Sequence, residues 1–390
     1  MQPDQFRIAL FSGNYNYVRD GANQALNRLV GYLLRQGVHV RVYAPMVDNP
    51  AFPPTGEMVG IPAIPIPGRA EYRIPSALTA RVRKDLADFN PNVVHVSSPD
   101  IVAHRAVSWA RRRHIPVVAS VHTRFETYLA YYRLEMFEPA VRAILRRFYR
   151  RCDAIVAPAE STAAVLRAQR MSRDISIWAR GVDREQFNPA RRDIDWRRGL
   201  GLKDDEMVVA FLGRIVMEKG LPEFVAAIDA LSERKVGHRV LVIGDGPARS
   251  WFEQRLPGAV FVGHQEGSDL ARALASADVF LNPSITETFG NVTLEAMACA
   301  LPVVAAAATG ATSLVRDGET GTLVEAGNAD GFGDALAAYA RQPALRHAHG
   351  AAGLEFAKTM DWDRINAAVL AVYRRVIERR ARHSRLTGRA

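Results

Sequence analysis

The chain has only two cysteines, Cys152 and Cys299, in 390 residues. Thiols so far apart in sequence cannot build a disulfide framework, which excludes a small stapled module and leads us to expect a reducing, cytosolic setting. Cys299 lies in the small apolar string EAMACALPVV, where a thiol behaves as a minor hydrophobe rather than a nucleophile. Long apolar runs are also missing. The longest covers 301–308, against the roughly 18 residues a membrane-crossing helix needs. The opening MQPDQF has no basic segment and the apolar 8–11 is too brief for a secretory signal, so secretion is not expected. The histidines form no H-E-x-x-H string, there is no paired-cysteine spacing, and DID at 193–195 lies in a polar bridge. Neither a metal nor a cofactor is therefore expected.

At 43.0 kDa the chain exceeds what one hydrophobic core usually serves, so two domains are expected. With 48% hydrophobic and 24% charged residues, wholesale disorder is excluded. The net charge of +10 is uneven. Residues 1–190 hold 26 Lys and Arg against 16 Asp and Glu, residues 191–360 hold 17 against 22, and the remainder 8 against 3. A basic first half and tail fit a polyanionic partner, nucleic acid or an anionic membrane surface, or else a solvated basic face.

Apolar strings such as RIALF (7–11), VHVRVY (38–43), VVHVS (93–97), PVVASVH (116–122) and AIVAP (154–158) read as strands, separated by helical stretches such as 23–35 and 101–113. After a charged, apolar-poor bridge at 188–206 the alternation restarts with 207–213, 239–244, 260–263, 279–284, 302–306 and 321–326. Strands alternating with helices imply parallel sheets covered on both faces, hence α/β and two doubly wound domains. The expected divisions are 1–187, 188–361 and a segment 362–390 containing a final helix of about 362–382.

In open α/β sheets, ligands bind beyond the carboxyl ends of strands. After RIALF, Gly21 stands before a helix and could let backbone amides approach an anion, although the full G-x-G-x-x-G string is absent. In GRIVMEKG, Arg214 and Lys219 can place a planar fork and a point charge on one diphosphate; the alternative is an ion pair with Glu218. In SITETFGNVTLEAMA, Gly290 and Asn291 sit at a helix start whose free amides suit an anion. Glu295 could accept from ribose hydroxyls and Glu287 could reach a sugar, or both could be parts of a solvated face. His122 ends a strand at its carboxyl side, as a ligand-binding or a structural histidine. From 124 to 151, Phe125, Tyr128, Tyr131, Tyr132 and Phe137 mix with arginines including Arg133, which suits a membrane interface or single-stranded nucleic acid. Within it, Val141, Ile144, Leu145 and Phe148 can form the core stripe of an ordinary amphipathic helix.

In this order, GR…EKG, GDGP (244–247) and the E-x7-E string ETFGNVTLE, with RGVD at 180–183, resemble the retaining glycosyltransferases of the GT4 family. The resemblance covers nearly the whole chain. HVSSPD and ETFGNVTLEAMA look most similar to lipid-directed members, the sulfoquinovosyl-diacylglycerol synthases and GDP-mannose-dependent mannosyltransferases. It implies the GT-B fold, two Rossmann-like domains facing a central cleft with the last helix crossing back to the first, and metal-independent hexose transfer from a nucleotide diphosphate sugar. Arg214 and Lys219 would hold the diphosphate, Glu295 the ribose, Glu287 the transferred sugar, and the amides of Phe289, Gly290 and Asn291 sugar and phosphate. His122 would lie near the reacting face, making Glu287 and His122 the catalytic candidates, with Tyr128, Tyr131, Tyr132, Phe137 and Arg133 on a membrane or acceptor side. The expected acceptor is a lipid or glycolipid hydroxyl, with the protein cytoplasmic and bound peripherally to the inner membrane face; no nucleic-acid partner is then expected. Alternatives are a soluble glycan acceptor, a nucleotide-sugar epimerase or phosphorylase of the same fold, and an inactive membrane- or nucleic-acid-binding protein. This chain departs from the family at three places: Asp20, Gly21 and Ala22 where a Gly-Gly pair is common, Ala300 where a glycine commonly precedes Leu-Pro, and Ser313 where an acidic residue is common in TGATSLV.

Overall fold

The computed structural model describes residues 2–18, 20–66, 69–123 and 135–386. They form two compact units, Met1–Arg180 with Trp362–Ala390, and Gly181–Asp361.

The first unit holds strands β1 (Arg7–Phe11), β2 (His39–Ala44), β3 (Glu57–Gly60), β6 (Val93–Val96), β7 (Val117–Ser120), β8 (Ala154–Ala157) and β9 (Ile175–Ile177), paired in parallel in the order β3-β2-β1-β6-β7-β8-β9. Two further strands, β4 (Ala63–Ile66) and β5 (Arg69–Pro75), make a separate antiparallel hairpin. The central strands are buried along their whole length, as sheets covered on both faces require. Helix Gly21–Arg35 starts where the Asp20 carboxylate accepts from the Asn23 amide at 2.8 Å. Its stripe of Leu26, Leu29, Val30 and Leu33 packs into the same core as Val369, Val372, Tyr373 and Val376 of the returning helix Trp362–Leu386. The second unit holds β10 (Met207–Leu212), β11 (His238–Ile243), β12 (Val260–Gly263), β13 (Val279–Asn282), β14 (Val303–Ala306) and β15 (Gly321–Val324), all parallel in the order β12-β11-β10-β13-β14-β15.

Three features differ from the sequence reading. The units divide after Arg180 rather than at 187, because Val182 donates to the Met360 carbonyl and Gln186 to the Gly267 carbonyl, which ties 181–187 to the second unit. The charged, apolar-poor stretch 188–206 is more than a bridge: it carries helix Ile194–Gly199, with Arg197 fully buried. The Arg197 guanidinium bonds Asp278 and the carbonyls of Ser276, Lys203 and Glu206, while Arg192 reaches the other Asp278 oxygen, so the arginines staple the stretch down. In helix Glu138–Tyr149 the expected core stripe is incomplete. Leu145 and Phe148 are buried and Val141 packs against them, but Ile144 is 59% exposed.

Candidate active site

The second sheet reverses its strand order between β10 and β13, and the two loops that leave those strands at their carboxyl ends are 213–220 and 283–290. A crevice at such a reversal is where ligands bind. The loops touch. At Gly220, φ is +75° and an added Cβ would lie 3.2 Å from the Pro283 carbonyl carbon and the Ser284 nitrogen, so only glycine lets them approach. Thr286 and Ser284 hydroxyls donate to the Glu218 carbonyl at 2.9 and 3.4 Å. Across this seam the Lys219 ammonium donates to Glu287 Oε1 at 2.6 Å, so the loop lysine is paired with Glu287. Both side chains are partly buried, with Glu287 only 15% exposed, where an ion pair is screened less than at the surface. Arg214, on the same loop, is exposed.

Helix Asn291–Ala298 follows immediately, its N-cap Gly290 left-handed at φ +96°. Its first amides, unmatched within the helix, face the same end of the sheet, with Phe289 buried beneath and Glu295 half-buried one turn on. Asn282, the last residue of β13, donates to the Thr293 hydroxyl at 3.0 Å and pins the helix to the strand.

Two supports were not legible in the sequence. At Gly310 (φ +92°), in the string TGATSLV, a Cβ would meet the Glu287 carbonyl at 2.7 Å and that of Phe289 at 3.0 Å. That backbone buttresses the ETFG loop. In GDGP, a Cβ on Gly244 would fall 2.0 Å from the Gly213 carbonyl and one on Gly246 2.4 Å from that of Ile215, so this loop props the Arg214 loop.

In the first unit, His122 follows β7 and is partly buried. Its Nδ1 lies 3.0 Å from an Arg180 Nη and its Nε2 2.8 Å from Ser120 Oγ. Ser120 is also 2.8 Å from His95 Nε2, and His95 Nδ1 bonds the Tyr373 hydroxyl. Burial pushes His95 down to about 3, and burial with the neighbouring Arg180 cation holds His122 well below the usual histidine range. Nothing in the sequence linked these residues to His122 except that Arg180 opens RGVD. Gly21 is the first residue of its helix, where Asp20 already supplies a carboxylate. Phe137 is 50% exposed, whereas Phe125, Tyr128, Tyr131, Tyr132 and Arg133 lie outside the described residues. Both cysteines are buried, which pushes Cys152 up to about 12 and raises Cys299 as well. Among the described residues no three His, Cys, Asp or Glu side chains are grouped to hold a metal, and no helix is long and apolar enough to cross a membrane.

Residues 19–186 match the family described as Glycosyltransferase Family 4, and residues 206–342 match Glycosyl transferases group 1. The sulfoquinovosyl transferase SQD2 of Arabidopsis thaliana is 32% identical over 91% of this chain and 71% of its own length. A GDP-mannose-dependent alpha-mannosyltransferase of Mycolicibacterium smegmatis is 32% identical over 96% and 99%. Among solved structures, sucrose-phosphate synthase from Thermosynechococcus elongatus superposes with a TM-score of 0.79 at 22% identity over 96% of this chain and 100% of that one, a likeness of fold, GT-B. The chain belongs to the family 4 glycosyltransferases and is a transferase enzyme.

Proposed function

We propose that the second unit binds a nucleotide diphosphate sugar, GDP-mannose or a UDP-sugar, and that the enzyme passes its hexose to a lipid or glycolipid hydroxyl with retention of configuration. The observation that carries the donor reading is the seam at the β10/β13 reversal, where Lys219, Glu287 and a helix start converge. Arg214 and Lys219 hold the diphosphate, the amides of 289–291 neutralise charge as it develops on the leaving phosphate, and Glu295 takes the ribose hydroxyls. Glu287, already compensated by Lys219, holds sugar hydroxyls rather than attacking carbon. The bond from the anomeric carbon to the diphosphate oxygen breaks, the acceptor oxygen bonds the same face, and the acceptor proton passes to a leaving phosphate oxygen. Relatives named a sulfoquinovosyl transferase and a GDP-mannose-dependent mannosyltransferase support a nucleotide-sugar donor.

The lipid acceptor and peripheral attachment to the inner membrane face are supported by the basic first half and by Met136, Phe137 and Ile144, exposed at 80, 50 and 59% in a segment whose Arg147 and Arg150 are also exposed. A thermal-shift screen of UDP, GDP, ADP and their sugars tests the donor, since a ligand that binds only the folded state raises Tm. One nucleotide sugar should raise it, and no shift by any of them would refute the reading. Sedimentation with anionic vesicles at low salt tests the acceptor side. Protein left in the supernatant would favour a soluble glycan acceptor.

A further inference from the structure

We propose that Arg180 is a positioning residue that fixes His122 as the neutral imidazole carrying its proton on Nε2, by setting the direction of a buried hydrogen-bond chain through Ser120 and His95 to Tyr373. The proposal goes beyond the donor reading and concerns residues of the first unit alone.

The chain has two self-consistent directions. In one, the Tyr373 hydroxyl donates to His95 Nδ1, His95 Nε2–H donates to Ser120, Ser120 donates to His122 Nε2, and the His122 proton sits on Nδ1. In the other, every bond runs the opposite way: His122 Nε2–H donates to Ser120, Ser120 to His95 Nε2, and His95 Nδ1–H to Tyr373. Arg180 decides between them. A guanidinium can only donate, and its Nη is 3.0 Å from His122 Nδ1, so that nitrogen must be bare.

The arginine is itself held firmly. It is 4% exposed, donates to the carbonyls of Trp178 and Ala179 at 2.8 and 3.0 Å, and stacks on the Trp178 ring at 4.6 Å. Trp178 in turn donates to Asn366 Oδ1 on the returning helix at 3.1 Å and meets the His122 ring edge-on at 5.5 Å. Burial lowers the Arg180 guanidinium to about 9, still a cation at neutral pH, and no carboxylate is among its partners within the described residues. Among the described residues, the titratable groups facing His122 are Arg180 and, through Ser120, His95, and both disfavour a second proton on the ring. His122 therefore serves as a fixed neutral ring and not as a proton carrier. A second outcome is that the C-terminal helix, through Tyr373 and Asn366, holds the ring from behind.

The test is long-range 1H–15N correlation of the histidine-labelled full chain between pH 5.5 and 8, which distinguishes the two imidazole tautomers. Wild type should show His122 protonated on Nε2 and not titrating. Arg180→Met should release it, with the proton appearing on Nδ1 and the ring protonating more readily than in wild type while burial still holds it below the ordinary histidine range. Arg180→Lys, another obligate donor, should restore the wild-type pattern. A wild-type His122 protonated on Nδ1, or an Arg180→Met ring that keeps the Nε2 proton, overturns the proposal. Should Arg180→Met fail to fold, Tyr373→Phe decides: Arg180 still dictates direction there, so a switch of His122 to Nδ1 refutes the assignment and retention of Nε2 upholds it. This readout needs no donor, so failure of the donor reading in the thermal-shift screen is separately visible.

Discussion

At the carboxyl ends of their strands the two units handle polar groups in opposite ways. In the second, a lysine and a glutamate meet across a seam of touching loops, partly open, with an exposed arginine and a row of helix amides beside them. In the first, two histidines, a serine, a tyrosine and an arginine are tied into one hydrogen-bonded chain that, among the described residues, includes no carboxylate. Charge kept within reach of solvent can be handed to a ligand, whereas polar groups that satisfy one another are spent on fixing a geometry.

The sharpest way to break that contrast is to remove the open charges. Lys219→Ala and Arg214→Ala should each lower turnover at limiting donor about ten- to a hundredfold, the worth of one charged hydrogen bond of about 1.5 to 3 kcal/mol. Folding should survive, and urea unfolding beside initial rates checks both. Near wild-type rates in the two variants would place the diphosphate elsewhere. Gly310→Ala probes the same loops without touching a charge. Its Cβ must displace the Glu287 or Phe289 carbonyl at a backbone angle costing about 1 to 3 kcal/mol, so Tm should fall and donor affinity with it. A fall in Tm with donor affinity unchanged would show that the ETFG loop does not need this buttress.

The closed chain of the first unit should reveal itself in acid. The folded protein holds His95 neutral to about 3 and His122 neutral well below its usual value, while the unfolded chain takes up these protons near 6.5. The unfolded state then binds more protons, so stability falls as pH drops below about 6.5, by up to about 1.4 kcal/mol per pH unit for each ring still neutral in the folded state, and the His95 contribution continues to fall toward 3. His95→Gln should flatten the slope of Tm between pH 6 and 5. An unchanged slope would mean that His95 takes up its proton as readily in the folded as in the unfolded protein.

Legibility from sequence followed the range of the interaction. The five strands β1, β2, β6, β7 and β8 of the first sheet, all six of the second, the Arg214 and Lys219 loop and the helix start at 290–291 are written locally, in apolar runs that end in glycine and charge. β4 and β5 are masked by the prolines of 62–75, β3 and β9 are edge strands of only four and three residues, and helical spacing shows that the stripe including Ile144 exists but not how wide its covered face is. Gly310 against Glu287 and His95 against Tyr373 were invisible. These contacts join residues that only the folded chain brings together, 278 positions apart in the second case.

The smallest expected effect concerns a departure that the sequence did show. Ala300 stands where glycine commonly precedes Leu-Pro, and its φ is +59°, in the left-handed region that costs an alanine about 1 to 2 kcal/mol. The residue cannot relax, because Ala300 and Leu301 amides close the turn on the Met297 and Ala296 carbonyls while its own carbonyl lies where a Cβ on Gly350 would stand, at 2.1 Å. Ala300→Gly relieves that strain but gives the unfolded chain more freedom, which takes back part of the gain. The net should be a stabilisation of about 0.5 to 1 kcal/mol, with donor affinity untouched because both open charges and closed chain lie elsewhere. A drop in Tm would mean that the alanine methyl packs for more than its backbone strain costs.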